Sequence, residues 1–491
     1  MKSPIAGLRE FLPVRIKDRN LSRPGRRPAA ENPDVSWPDV SWPDVSWIDG
    51  FIDNVRPYVF VRSEDNLLIK LPNQATKLNP QGVWILSELL GGKSIHSVFE
   101  RVGRERQKLR DIVLFIHRVK QYLEGSLDEF SQSAAVEIKP FDLRFSRLPI
   151  LSEIAVTYRC NLRCTFCYAG CNCTANPSGD NREMTATQIR EVLCDIYGKA
   201  KVPSVSFTGG EATLRKDLPD LVEYAANLGM RVNLITNGVL VTDALARDLA
   251  SAGLASAQVS LEGVCPETHE ALTQVPGSFR KTIDSVRCFS DAGIRVHTHT
   301  TINRDNLPEC TEMARFVKRE LKRERFSMNV LIPAGSATLA QRLIVSYTEL
   351  GPYIEEIIDA ARRESVEFMW YSPTPMCLFN PLAHQLGNKG CSACDGLISV
   401  AANGDVLPCS SCNDPVGNLL TGDILEIWNS QKARWYRNKQ FARKECQRCE
   451  DFPICNGACP IYWRELGYQE LESREPIKFE EETVEHVSSE C

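Results

Sequence analysis

Tyr158-Arg-Cys160-Asn-Leu-Arg-Cys164-Thr-Phe-Cys167-Tyr168 places three cysteines on one short stretch of this 491-residue chain. Iron–sulfur clusters normally take four thiolates. Three thiolates spaced CxxxCxxC can therefore hold three irons of a 4Fe–4S cluster and leave the fourth open to another ligand. Closely spaced cysteines also serve zinc, so a zinc knuckle is the rival reading of the same loop. Ser152–Thr157, just upstream, reads as a strand, which sets the cysteines at its C-terminal end.

Working outward, Pro203–Thr208 (PSVSFT) is a short apolar run with β-branched residues, expected as a buried parallel strand. It runs into Gly209-Gly210-Glu211, where glycines let a ligand approach the backbone and the glutamate offers an acceptor for an ammonium group. Arg231–Thr236 leads into Asn237-Gly238, and Ser256–Leu261 into Glu262-Gly263. Ile294–Thr301 ends near Asn303, and Phe326–Ile332 runs into Pro333-Ala334-Gly335. Helical patterns lie between them at 187–199, 217–228, 241–252, 278–292 and 307–322. Strands alternating with helices predict an α/β fold with a parallel sheet. About six units are too few for an eight-stranded barrel, and the polar residues gather at the strands' C-terminal ends, where such barrels place their sites.

The cysteine loop, the strand before it, Phe166 and the Gly-Gly-Glu turn resemble the radical SAM superfamily. That resemblance implies a partial (β/α)6 barrel over residues 148–340, with S-adenosylmethionine (SAM) on the open iron of a 4Fe–4S cluster held by Cys160, Cys164 and Cys167. It implies Gly209, Gly210 and Glu211 around the methionine amino group, and Phe166, Thr236, Asn237, Ser260, Glu262 and Asn303 as further SAM contacts. The implied chemistry is reductive cleavage of SAM to a 5′-deoxyadenosyl radical, which abstracts hydrogen from a substrate carbon. An electron donor such as flavodoxin or ferredoxin goes with it. The sequence names no catalytic base.

Beyond about residue 370 the chain turns rich in cysteine, glycine and proline. Cys394, nine residues, Gly404, four residues and Cys409 are followed by Cys446-xx-Cys449-xxxxx-Cys455-xxx-Cys459. Both halves, in this order, resemble the SPASM domain, here over 370–465, which carries two auxiliary 4Fe–4S clusters. The resemblance implies Cys391, Cys394, Cys409 and Cys459 on the first cluster and Cys446, Cys449 and Cys455 on the second. The second cluster's last ligand is open between Cys412, Cys491 and none, and Cys377 competes with Cys391 for the first. A two-zinc ribbon is the rival for the region.

Nineteen cysteines would mean disulfides in a small secreted protein, but about eleven fall in cluster motifs that need reduced thiolates. No signal-peptide run opens the chain and no window approaches eighteen apolar residues, so a cytoplasmic location and no membrane partner are expected. Residues 1–54 contain the repeat Pro33-Asp-Val-Ser-Trp37, Pro38–Trp42, Pro43–Trp47; proline at every fifth position predicts an extended, flexible arm. Residues 55–128 read as a small folded module, with strands at Tyr58–Arg62 and Leu67–Lys70, an Asn79-Pro80 cap, and helices at 81–90, 94–102 and 109–123. This resembles the PqqD-like peptide-recognition module, a winged-helix-like α+β unit to which a leader peptide adds as a strand. A net charge of −5 without a basic stripe argues against a nucleic-acid partner. Residues 466–491 form a tail.

Together these resemblances imply a radical SAM/SPASM maturase that oxidises or crosslinks a peptide or protein substrate. A haem-pathway enzyme acting on a small molecule is the alternative. Sulfatase maturases carry an aspartate after the cysteine corresponding to Cys409, and this chain has Ser410.

Overall fold

The computed structural model describes residues 44–103, 105–124, 146–171 and 182–476. The first two repeats, Cys173, Cys491 and most of the tail lie outside them. The chain divides into two units, Met1–Leu68 with Lys77–Ile138, and Ile69–Thr76 with Lys139–Cys491.

The N-terminal segment opens with helix α1 (Ser46–Val55), where an extended arm was expected through residue 54. Its apolar residues recur at helical spacing, and Ile48 and Ile52 are buried in the first unit's core with Leu86, Leu89, Phe115 and Ile116. Trp47, the last residue of the third repeat, lies against the His117 ring, centroids 4.5 Å apart. Three short strands follow, β1 (Val59–Arg62), β2 (Leu67–Lys70) and β3 (Gln74–Lys77), in spatial order β1-β2-β3. Then come α2 (Pro80–Leu90), α3 (Ile95–Val102) and α4 (Arg106–Glu124). Asn79 caps α2, its Oδ1 accepting from Gly82 N at 2.7 Å, with Pro80 in the first turn where a missing N–H costs nothing.

In the second unit six parallel strands follow the predicted rhythm: β4 (Leu151–Thr157), β5 (Ser204–Gly209), β6 (Arg231–Thr236), β7 (Leu254–Ser260), β8 (Arg295–Ile302) and β9 (Arg325–Val330). The helices covering them are α5 (Ala186–Gly198), α6 (Leu218–Asn227), α7 (Asp243–Ser251), α8 (Pro266–Thr273), α9 (Ser278–Asp291) and α10 (Met313–Arg319). The sequence had suggested one longer helix over 307–322; Pro308 instead sits in a 3-10 turn, Leu307–Glu309, ahead of a shorter α10.

Two flanking strands had no counterpart in the sequence reading. After α11 (Tyr347–Glu364), β10 (Glu367–Trp370) pairs in parallel with β9. At the other edge β11 (Leu397–Val400) pairs in parallel with β4, and a hairpin carries β12 (Asp405–Leu407) and β13 (Gly417–Asn418) beyond it. The interval 340–370, left between two predicted domains, is thus filled by α11 and β10. The cysteine-rich region shares its sheet with the barrel.

Alternate residues of each strand divide the labour. Ile154, Val156, Val205, Phe207, Val232, Leu234, Ala257 and Val259 are buried in one core with Ile189, Val192, Leu221 and Phe289 of the helices. The opposite face is polar. Ser399, Glu153, Ser206, Asn233 and Ser256 stand side by side across successive strands, and Ser260, His299 and Ser327 form a second row. Barrels filled for stability carry branched aliphatic layers there, whereas this face carries hydrogen-bonding groups.

If α1 is part of the first unit's core, Ile52→Ala in the full chain should cost that unit ~2–5 kcal/mol, as deletion of a buried isoleucine does. Denaturant-dependent hydrogen exchange of α1–α4 measures it. An unchanged value would return the segment to the flexible arm.

Candidate active site

The loop bearing Cys160, Cys164 and Cys167 is tied down on both sides. Arg163 N and Thr165 N donate to the carbonyls of Thr273 and Leu272 at the end of α8, both at 3.0 Å. Ser336 N donates to Cys167 O at 2.8 Å. Phe166, buried in the barrel core, anchors the loop from within. At its start, Glu183 accepts from Thr157 Oγ1 and from Tyr158 N.

Gly209 and Gly210 are required by the chain's own backbone. Gly209 has φ +140, and a Cβ on either glycine would collide with the Thr157 or Arg159 carbonyl oxygen. This close approach lets Gly210 N donate to Thr157 O at 2.8 Å and Glu211 N to Arg159 O at 2.9 Å.

Glu211 is buried, 1 % exposed. Its Oε1 accepts from Thr213 N (3.0 Å), Thr213 Oγ1 (2.6 Å) and Thr236 Oγ1 (2.7 Å), and its Oε2 from Asn237 N (2.7 Å). Asn237 then reaches back to the cysteine loop, its Nδ2 donating to Asn161 Oδ1 at 2.8 Å and lying 3.9 Å from Cys160 Sγ. The structure therefore brings Glu211, Thr236, Asn237 and the cysteine loop together. Glu211, read from the sequence as an acceptor for an ammonium group, also works as an architectural hub.

Of the other residues singled out, Ser260 lies half-buried beside His299 on the polar face. Glu262 is buried, and its Oε2 accepts from Thr301 N at 3.0 Å. Asn303 stands apart from the Glu211 group. It is wholly buried, its Nδ2 donates to Thr301 O and its Oδ1 accepts from Asp305 N, so its amide closes the turn after β8.

Burial governs the acidities. It pushes the Cys160 thiol up to about 11 and Cys164 well above its ordinary value, a cost that a bound metal cation reverses by stabilising the thiolate. Cys171 hydrogen-bonds Cys167, so one proton serves both: Cys167 is lowered and Cys171 raised. Burial also raises Glu262 to about 8 and Glu153 to about 7, the latter opposed by a hydrogen bond from Ser410. His299 is driven down to about 4 by burial, so its imidazole is neutral; Nδ1 meets Ser327 Oγ at 2.8 Å and Nε2 meets Asn329 Oδ1 at 3.1 Å. Tyr371 stacks on it at 5.7 Å. Ser399 Oγ and His297 Nε2 are buried without a hydrogen-bond partner, the condition of groups that meet a ligand or water.

Every described cysteine is free. Among the described residues no three His, Cys, Asp or Glu side chains are gathered closely enough to hold a single metal ion. The cysteines form looser groups instead. Thiol charges couple Cys160, Cys164 and Cys167. They couple Cys391, Cys394, Cys409, Cys412 and Cys459, and separately Cys377, Cys446, Cys449 and Cys455. Cys412 therefore sits with the first C-terminal group, and Cys377 with the second. Lys439, wholly buried, donates from Nζ to Cys391 O at 2.6 Å and pairs with Asp395 at 2.9 Å, setting a cation beside the first group. Gly404, at φ +90, makes the hairpin turn that returns Cys409 toward Cys394. Free thiols in groups of three or more, with N–H donors near sulfur such as Leu162 N at 3.4 Å from Cys160 Sγ, suit iron–sulfur clusters chemically.

Sequence reading missed Asn161, Glu183, Lys439 and the polar face with Glu153, His299 and Tyr371. Only the polar alternation of β8 hinted at that face.

Comparison with known proteins supplies the family context. Residues 154–317 match the Radical SAM superfamily, and residues 391–450 match SPASM, an iron–sulfur cluster-binding domain. An AdoMet-dependent heme synthase of Oleidesulfovibrio alaskensis is 26% identical over 317 residues, 62% of this chain and 80% of the relative. A PqqA peptide cyclase of Bradyrhizobium diazoefficiens is 24% identical over 329 residues, 64% of this chain and 81% of the relative. Among solved structures, Streptococcus suis SuiB bound to its precursor peptide SuiA superposes with a TM-score of 0.61 at 18% identity, covering 82% of this chain and 95% of SuiB. No helix among the described residues is long and apolar enough to cross a membrane.

Glu211→Ala should leave two hydroxyls and two N–H groups unmatched in the interior, at about 1–3 kcal/mol for each buried group left without a partner. Expected are a lower unfolding midpoint and faster iron loss from the Cys160–Cys167 loop, followed by calorimetry and by iron release to a chelator. Unchanged values would make the hub dispensable. Glu262 carries a pH signature: its folded pKa lies above the unfolded value of 4.5, so the folded state holds the extra proton and stability falls as pH rises from about 4.5 to about 8. Iron-free Glu262→Gln should therefore gain stability over the parent as pH rises through that window. A pH-independent difference would show that the carboxyl ionises freely.

Proposed function

We propose that this radical SAM enzyme, whose cofactors are SAM and iron–sulfur clusters, oxidises or crosslinks a side chain of a peptide delivered by its N-terminal unit. In this reading Cys160, Cys164 and Cys167 hold the SAM-binding 4Fe–4S cluster, and Gly209, Gly210, Glu211, Thr236 and Asn237 seat the methionine end. Cys391, Cys394, Cys409 and Cys459 hold one auxiliary 4Fe–4S cluster, and Cys446, Cys449 and Cys455 contribute to the second. When bound, the cluster and SAM would supply radical chemistry able to remove hydrogen from a substrate carbon.

The chain's own residues bind and exclude. The polar rows from Ser399 to Ser256 and from Ser260 to Ser327 offer hydrogen bonds to a substrate held in the barrel. His299, fixed at both nitrogens and stacked under Tyr371, presents a rigid neutral surface there. Glu153, close to half-ionised near neutrality, is the carboxyl best poised to accept a proton.

The observation that carries the peptide reading is the reach of the SuiB superposition. Residues 69–76 and 139–491 make up less than three quarters of the chain, so a match over 82% extends into the N-terminal unit. That unit has its own core, and the short three-stranded sheet β1-β2-β3, whose first strand it contains, suits strand addition by a leader peptide. The heme synthase likeness, over 62% of the chain, supports a second reading, a small tetrapyrrole substrate in the same barrel.

Co-expression with short peptides encoded beside the gene, read by mass spectrometry, tests the proposal. The full chain should modify one of them. A chain lacking residues 1–124 should not, yet should still cleave SAM slowly, because tethering raises the local substrate concentration to the millimolar range without touching the chemistry. Replacing Cys160, Cys164 and Cys167 by alanine should remove about four of about twelve irons and abolish SAM cleavage. Full-rate modification by the truncated chain, or turnover of a porphyrin and no peptide, would hand the function to the second reading.

A further inference from the structure

The nine described cysteines beyond residue 370 outnumber the eight thiolates that two fully ligated 4Fe–4S clusters need. They divide unevenly. Cys391, Cys394, Cys409, Cys412 and Cys459 form a largely buried group of five, all but Cys409 being buried. Cys446, Cys449 and Cys455 are partly or fully exposed, and the motif that announces them supplies only three ligands.

A fourth thiol stands with these three. Met376 N donates to Cys455 Sγ at 3.4 Å, which sets the residue before Cys377 directly on a sulfur of the group. The charges of Cys455 and Cys449 act on the Cys377 thiol, and those of Cys455, Cys377 and Cys449 act on Cys446. Arg474 holds Cys377 in place, its guanidinium donating to Cys377 O at 2.8 Å. Cys412 is committed elsewhere: it is buried, lies 3.7 Å from Tyr436 Oη and answers to Cys391.

We infer that Cys377 is the fourth ligand of the second auxiliary cluster, completing Cys446, Cys449 and Cys455 from a segment upstream of the motif. The inference rests on the two-auxiliary-cluster reading above. On loading, the Cys377 thiol gives up its proton to solvent and its sulfur binds the one iron that the motif leaves without a protein ligand; no electron is exchanged. Cys412 is then the spare thiol of the first group.

The test uses the full-length, anaerobically reconstituted protein and its variants Cys377→Ala, Cys412→Ala and Cys491→Ala, with iron and sulfide content and Mössbauer spectra as readouts. Parent protein should hold about twelve irons. Cys377→Ala should lose about four, or convert one cluster to a three-iron form, while the other two variants keep all three clusters. Loss in Cys491→Ala or Cys412→Ala with Cys377→Ala intact would overturn the ligand assignment alone. A parent with only two clusters would overturn the two-auxiliary-cluster reading itself, and the assignment with it. Thiol alkylation gives an answer that does not depend on how a variant folds. Exposed Cys377 should react readily in iron-free protein and at least tenfold more slowly in the loaded parent; equal rates would overturn the inference.

Discussion

One buried carboxylate organises the active end of the barrel. A charge taken from water must be matched by hydrogen bonds or it destabilises the fold. Glu211 is matched from two directions, by Thr213 in its own turn and by Thr236 and Asn237 at the end of β6. Asn237 passes the constraint to Asn161 in the cysteine loop. The glycines before Glu211 bring β5 against the backbone of Thr157 and Arg159. The ends of three strands and the cysteine loop are thereby held as one rigid body, which a radical reaction needs if the reactive carbon is to stay where substrate geometry requires it.

Sheet continuity extends that rigidity to the cysteine-rich region. β11 adds to the barrel edge beside β4 in register, and the β11–β12 hairpin places Cys394 before it and Cys409 after it. The first C-terminal cysteine group therefore hangs from the same hydrogen-bonded framework as the Cys160–Cys167 loop. Five thiols in a largely buried setting would be hard to ionise together. Lys439, with Arg437 reaching the Cys394 carbonyl, sets fixed positive charge among them. The second group lies nearer solvent, where water screens its charge and fewer protein cations are required.

The barrel alone does not choose a substrate. Relatives whose names specify a heme synthase and a peptide cyclase align over much the same share of this chain, as expected when one cofactor chemistry is reused and specificity lies in attached parts. In the function proposed above, the N-terminal unit is the attached part. Its core draws in residues that repeat composition alone would leave unstructured, because Trp47, Ile48 and Ile52 fall on one helix whose apolar face has a partner.

Spacing along the chain was enough to read the cysteine loop, the Gly-Gly-Glu turn, six strands in parallel rhythm and two cysteine motifs, because each is a local pattern with a period or a count. The helix at 46–55 was hidden by the prolines of the repeat before it. β10 and β11, four residues each, lay outside the stretches where strands were expected. Other features have no local pattern at all. Met376, next to Cys377, meets Cys455 across many residues, Glu211 finds Thr236 on the next strand, and Asn303 turns inward to close its own loop. Such pairings are made by tertiary packing, which brings distant segments to one place and satisfies a buried polar group with whichever donor arrives there.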